Sequence, residues 1–160
     1  MGTRVKTKED FFKFEKEQRK FFDNYYKSKG WRVERIKGKA NKKYDCAIWT
    51  GKSWITIQEK VRSEDYGDLL VELTQDISTN NLGWLYTCKA DFILYKTPDT
   101  LYWINNKKLK KHMREFGLNY RTIESKKGWG RTLNAVVSWD IILKNKIGDE
   151  IIFKKDENNS

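Results

Sequence analysis

The sequence predicts an α/β fold in which a mixed central β-sheet is flanked by helices. Three observations predict it. Apolar residues recur at helical spacing over 7–29, where Phe11, Phe14, Phe21, Phe22 and Tyr25 fall on one stripe. Short β-prone segments bounded by Gly, Asn, Asp and Pro then alternate with further helical stretches. Aromatic residues are abundant, with 7 Trp, 8 Tyr and 8 Phe in 160 residues, enough to build a real core. The chain reads as a single domain over 1–153 followed by a polar, frayed tail at 154–160.

Thr7 opens the first helix, with Asp10 three places on as its capping-box partner, and Gly30 closes it. On a helical projection Glu15 falls within the apolar stripe and Glu17 at its edge. A carboxylate aimed at a core needs a partner or a metal. Residues 31–36 form a first strand and 37–43 a basic loop. The next stretch, YDCAIWTGKSWITIQEKVR at 44–62, reads as a β-hairpin turning at Thr50, Gly51, Lys52 and Ser53. Side chains two apart on a strand share a face. Gln58 and Lys60 therefore point the same way, with Trp54 and Thr56, while Ile55, Ile57, Glu59 and Val61 point the other way.

An acidic loop at 63–68 leads to a β-prone segment at 69–74 around Glu72, with a short helix as the alternative. A loop at 79–83 runs into Trp84, Leu85 and Tyr86. Segments 91–95 and 101–104 pair as a hairpin around Thr97, Asp99 and the chain's one proline, Pro98. A basic helix at 106–116 ends at Gly117. Then come a glycine-flanked basic loop at 126–131, a strand at 133–137, and a helix at 139–143 capped by Ser138.

Charge is segregated along the chain. Residues 1–43 carry 15 Lys/Arg against 6 Asp/Glu, residues 44–100 carry 5 against 9, and residues 101–160 carry 13 against 7. Basic flanks suit a polyanion backbone, and an acidic middle suits a cation. Other classes are excluded. No apolar run approaches the roughly 20 residues a membrane-spanning helix needs, and the first residues lack a signal-peptide core. Cys46 and Cys88 stand alone and His112 is the single histidine, which leaves no structural zinc site and no histidine triad. The chain reads as intracellular and reduced.

Asp45 on one strand and Gln58 and Lys60 on the next bring together a carboxylate, an amide oxygen and an ammonium. Mg²⁺ prefers hard oxygen ligands and keeps several waters, with Mn²⁺ as a substitute. Asp45 supplies the charged ligand, Gln58 and the main-chain carbonyl of Glu59 neutral oxygens, and Glu15 a second charge from the helix. Lys60 stabilises developing phosphate charge or helps deprotonate the attacking water. Alternatives stay open. Glu59 becomes the acidic ligand if a bulge rotates it, and Glu72 either approaches the metal or forms a salt bridge. Asp140 is read as a first-turn helix residue, and His112 as a phosphate contact or plain surface. For DNA contacts the pattern points to Arg62 as a phosphate clamp, to Lys37, Lys39, Lys42 and Lys43, and to Lys126, Lys127, Trp129 and Arg131.

The pattern D-x(12)-Q-x-K resembles the PD-(D/E)xK nuclease superfamily over the first half of the chain. In that resemblance Asp45 matches the aspartate, Gln58 the second acidic position, Lys60 the lysine and Glu15 the helix glutamate. Tyr44 replaces the proline. Gln58 replaces Asp or Glu, which makes metal affinity lean more on Glu15. The pairs Gly83-Trp84 and Ala90-Asp91 are reminiscent of small phage and virus relatives. The resemblance implies a restriction-endonuclease-like core and a Mg²⁺-dependent endonuclease that hydrolyses phosphodiester bonds of double-stranded DNA. Its type would be homing, restriction, resolvase or phage. It further implies a homodimer or higher homo-oligomer in the cytoplasm, or in a host-cell cytoplasm for a phage- or virus-encoded protein. The rival expectation is a non-catalytic nucleic-acid-binding module on a nuclease-like fold; a third is a basic protein-interaction domain.

Overall fold

A computed structural model describes residues 7–37, 43–127 and 130–153. The first helix, α1 (Lys8–Ser28), starts with the expected reciprocal cap. Thr7 Oγ1 accepts from the Asp10 N–H at 3.1 Å, and Asp10 Oδ2 accepts from the Thr7 N–H at 2.9 Å. Past the helix, Gly30 adopts φ +72°, a conformation that favours glycine.

Strands and short helices then alternate. The first half of the chain forms β1 (Arg32–Arg35), β2 (Cys46–Trp49), β3 (Trp54–Val61), β4 (Asp68–Asp76), β5 (Asn81–Leu82) and α2 (Trp84–Thr87). The second half forms β6 (Phe92–Lys96), β7 (Thr100–Asn105), α3 (Asn106–Phe116), β8 (Thr122–Lys127), β9 (Gly130–Ser138), α4 (Trp139–Lys144) and β10 (Gly148–Ile152). A mixed six-stranded sheet has the order β1-β2-β3-β6-β7-β10, in which only β3 and β6 run parallel. A separate antiparallel sheet has the order β5-β4-β9-β8.

Alternation along the strands splits the core between the two faces of the larger sheet. On one face Phe22 and Tyr26 of α1 pack with Cys46, Ile48, Ile57, Leu94 and Leu101. On the other, Ile93 and Ile104 meet Leu69 and Val71 of β4, Val137 of β9, Leu109 of α3 and Ile142 of α4. The layers are thus α1, the mixed sheet, and then the second sheet with α3 and α4. Among the described residues, no helix is long and apolar enough to cross a membrane.

Several expectations are corrected. Glu15 is exposed. The ridge that α1 presents to the sheet is the i, i+4 row Phe14, Gln18, Phe22 and Tyr26, which shares Phe14 and Phe22 with the projected stripe and adds Gln18 and Tyr26, while Phe21 and Tyr25 pack at its flank. The Phe11 side chain lies outside the described residues. The basic segment at 126–131 is the closed end of a hairpin, with Lys126 opposite Arg131 and Lys127 opposite Gly130; residues 128 and 129 lie outside the described ones. The segment around Glu72 is the expected strand, extended to Asp68–Asp76, and the helical alternative falls. Strands β5, β8 and β10 had no clear alternating signature, and tertiary pairing makes them. The tail at 154–160 also lies outside the described residues.

Candidate active site

The site grows from a strand that ends early. Cys46 opposite Ile57 is the first residue pair of β2 with β3, so β3 runs on past Ile57 with no β2 neighbour on that edge. Asp45 fills the gap. Its N–H donates to Ile57 O at 2.9 Å and its carbonyl accepts from the Ile36 N–H at 3.0 Å. Its Oδ2 accepts from the otherwise unladdered Glu59 N–H at 2.7 Å. The Asp45 carboxylate is therefore anchored to the residue lying between Gln58 and Lys60.

Burial pushes the Asp45 carboxyl above its ordinary range. The Glu59 N–H, Lys60 and Arg35 work against that rise, while the charge of Glu59 adds to it.

Glu59 faces the α1 side and is fully engaged there. Its Oε1 accepts from Arg35 Nη1 at 2.9 Å, and its Oε2 accepts from the Tyr26 hydroxyl at 2.7 Å and from Arg35 Nη2 at 3.2 Å. Arg35 also donates to Asp23 Oδ1 at 2.6 Å. Burial works against the Arg35 charge, yet Glu59 and Asp23 hold its guanidinium more firmly charged than usual. Burial, with the adjacent Glu59 charge, moves the Tyr26 hydroxyl far above its ordinary value and the Cys46 thiol up to about 12. Neither Tyr26 nor Cys46 is an acid or nucleophile at neutral pH. A bulge that turns Glu59 into a ligand is absent at this position: β3 pairs with β6 in unbroken register from Ile57 to Val61.

Two cavities meet at Lys60. One, of about 360 Å³, is lined by Glu15, Gln18, Arg19, Asp45, Glu59 and Lys60 among others. The other, of about 290 Å³, is lined by Gln58, Lys60, Glu72 and Trp84 among others. The sheet thus brings Asp45, Lys60 and Glu15 onto one cavity, and turns Gln58 toward its neighbour. Gln58 Oε1 is buried without a hydrogen-bond partner. The Lys60 ammonium stands 5.7 Å over the Trp84 ring. Glu72 Oε1 accepts from the Trp84 N–H at 3.3 Å. Among the described residues, no three of His, Cys, Asp and Glu gather closely enough to hold a metal ion.

The basic positions divide. Lys37, Lys43, Lys126 and Arg131 are exposed, and Lys43 lies two residues before Asp45 in the chain. Arg131 lies 3.6 Å from Glu124. Lys39, Lys42, Trp129 and the Lys127 side chain lie outside the described residues. Arg62, expected as a phosphate clamp, has an internal role: its Nη1 donates to Asp68 Oδ1 at 2.7 Å and Asp68 O at 2.8 Å, and its guanidinium lies 4.4 Å over Tyr66. His112 is half-buried, hydrogen-bonded to the Tyr120 hydroxyl and packed on Phe116. Asp140 is an exposed first-turn residue of α4.

Sequence reasoning missed Gln18, Tyr26 and Arg35. The signal for Tyr26 and Gln18 was their i, i+4 spacing from Phe22 and Phe14; Arg35 had only its strand alternation with Val33. No family model, curated protein or solved structure matches the chain.

Proposed function

We propose that the chain is a divalent-cation-dependent endonuclease that hydrolyses DNA, built on a restriction-endonuclease-like core. The observation that carries this reading is the Asp45–Glu59 hydrogen bond. It fixes a carboxylate beside the strand segment bearing Gln58 and Lys60, the arrangement the D-x(12)-Q-x-K pattern calls for. The order α1, three antiparallel strands, then a strand parallel to the third adds the frame, with Asp45 immediately before β2 and Gln58 and Lys60 on the adjacent β3.

The donor set fits Mg²⁺. Asp45 offers a carboxylate on one of the two cavities that meet at Lys60, and Gln58 offers a buried oxygen with no donor of its own on the other; both are hard oxygens of the kind the ion takes. When bound, a divalent cation supplies a water of lowered pKa and offsets phosphate charge. The chain's own residues do the rest. Asp45 and Gln58 hold the site, Lys60 sets an ammonium where charge develops on the phosphate, and Arg19, Lys37 and Lys43 favour the approaching backbone.

The second reading is a nucleic-acid-binding module without chemistry. It is favoured by the ion pair with Arg35, which occupies the Glu59 carboxylate and leaves Asp45 as the charged ligand on the strands. Cleavage of supercoiled plasmid with Mg²⁺ or Mn²⁺ separates the two. Nicking or linearisation that disappears with EDTA and with Lys60→Ala supports the nuclease. Salt-sensitive binding without cleavage, indifferent to Lys60→Ala, supports the module.

A further inference from the structure

The row of α1 that faces the sheet contains one side-chain amide. Phe22 and Tyr26 are buried against the sheet and Phe14 is half-buried, and Gln18 stands between Phe14 and Phe22, one helical turn from each. An amide on such a ridge is costly unless its polar atoms are satisfied. Gln18 Oε1 is buried and has no hydrogen-bond partner. The side chain lines the same cavity as Asp45, Glu59 and Lys60. Glu15, three residues earlier, also reaches that cavity, but from an exposed position at its rim.

We infer that Gln18, rather than Glu15, is the residue through which α1 joins the site, its amide oxygen serving as a neutral donor in the coordination of the cation that Asp45 holds. The inference rests on the nuclease reading and deepens it. Among the described residues that line the two cavities meeting at Lys60, the buried acceptors without partners are two amide oxygens, Gln18 Oε1 and Gln58 Oε1. A donor set of the Asp45 carboxylate and the Gln18 amide on one cavity, completed by water, needs no cluster of three acidic side chains. With Lys60 and Arg19 on the walls, that single carboxylate leaves little negative charge to attract a cation. Ions of this kind commonly complete their shell with substrate phosphate oxygens. The free protein therefore binds the cation weakly, and nucleic acid tightens it.

Binding is read by the loss of the free Mn²⁺ electron paramagnetic resonance signal, with and without a duplex carrying non-hydrolysable phosphorothioate linkages. The expected result is that Gln18→Ala and Gln18→Leu weaken Mn²⁺ binding about tenfold, that Gln18→Glu tightens it, and that Glu15→Ala changes it less than about twofold. Gln18→Leu fills the volume and removes the unsatisfied oxygen. Its urea midpoint should match or exceed that of the wild type, which separates lost ligation from lost folding. Gln18→Glu gives a gain rather than a loss, so it remains informative if the alanine variant folds poorly. The inference is overturned if Gln18→Leu and Gln18→Glu bind Mn²⁺ like the wild type, or if Glu15→Ala is the variant that weakens it. If the wild type binds no Mn²⁺ with or without DNA, the cation-dependent reading itself falls, a result distinct from a wild type that binds through other residues.

Discussion

Asp45 accepts a 2.7 Å hydrogen bond from the backbone N–H of Glu59, across the point where β2 stops and β3 continues. The bond ties the Asp45 carboxylate to the strand of the Gln58 and Lys60 side chains, and under the proposed function it sets a conflict between stability and activity. Burial raises the Asp45 pKa above its unfolded value, so protonation favours the folded chain. That contribution is full below the ordinary value of 3.8 and is lost as pH rises through the folded value. At neutral pH the ionised carboxylate is therefore a destabilising element. Asp45→Asn keeps an oxygen for the Glu59 N–H and removes the charge. Urea unfolding should show the Asp45→Asn variant matching or exceeding wild-type stability at neutral pH, with the difference fading below pH 3.8. Cleavage at neutral pH should fall by on the order of 100-fold or more. A variant that is both less stable at neutral pH and fully active contradicts the assignment.

The network of Tyr26, Arg35, Asp23 and Glu59 holds α1 to the start of the sheet. The Glu59 side chain is 10% exposed and that of Arg35 20%, so Arg35→Ala strands a nearly buried carboxylate. The loss should be about 3 kcal/mol, the lower end for breaking a buried pair. Replacing both, with Arg35→Met and Glu59→Leu, should cost less than Arg35→Ala alone, because no charge is then left unpaired. Denaturant titration of the two variants decides it. A double variant that loses the sum of two single losses would mean that the network contributes through packing alone.

How much was legible follows from where each residue's environment is set. Helix α1, with its Thr7–Asp10 cap, and the hairpin turning at Gly51 rest on local sequence, and both were readable. So was the shared face of Gln58 and Lys60, since alternation is local. The rest depends on long-range pairing. Strand β8 becomes a strand by lying against β9, which the polar run Thr122–Lys127 does not announce. Glu15 and Gln18 are both within reach of the sheet on a projection; the angle at which Phe22 and Tyr26 seat against Ile57 and Leu94 decides which one turns inward. Arg62 read as a clamp because its strand direction was right, but Asp68, six residues on, folds back to take its guanidinium.

Gly83 fixes the second cavity by close approach. A Cβ there would collide with Glu72 O, a backbone atom that cannot swing away. The Gly83 N–H donates to Leu73 O at 2.9 Å, and the next N–H, of Trp84, meets Glu72 Oε1. Gly83→Ala must push α2 off β4, at a cost of about 1–3 kcal/mol. It should also move the Trp84 ring relative to Lys60, since the two are 5.7 Å apart across the cavity that Gln58 lines. Urea unfolding and cleavage rate should fall together. Unchanged unfolding would mean that α2 is docked more loosely than the Gly83 contact implies.

DNA affinity should depend on the exposed lysines and not on Arg62. Each phosphate contact neutralised by Lys or Arg releases counterions and steepens the fall of affinity with salt. Lys37, Lys43 and Lys126 are exposed, so each Lys→Ala that removes a contact should lower the log–log salt slope by about 1. Arg62 lies between Asp68 and the Tyr66 ring, with its side chain 16% exposed and that of Asp68 18%. Arg62→Ala should cost about 2 kcal/mol of folding stability, the range for hydrogen bonds to a charged group, and leave the slope unchanged. Fluorescence anisotropy with labelled duplex between roughly 50 and 300 mM salt, a span over which phosphate contacts show, measures the slope, and urea unfolding the stability. A slope that falls for Arg62→Ala at unchanged stability would mean that this side chain leaves Asp68 to meet phosphate, and that the ion pair belongs to the free protein alone.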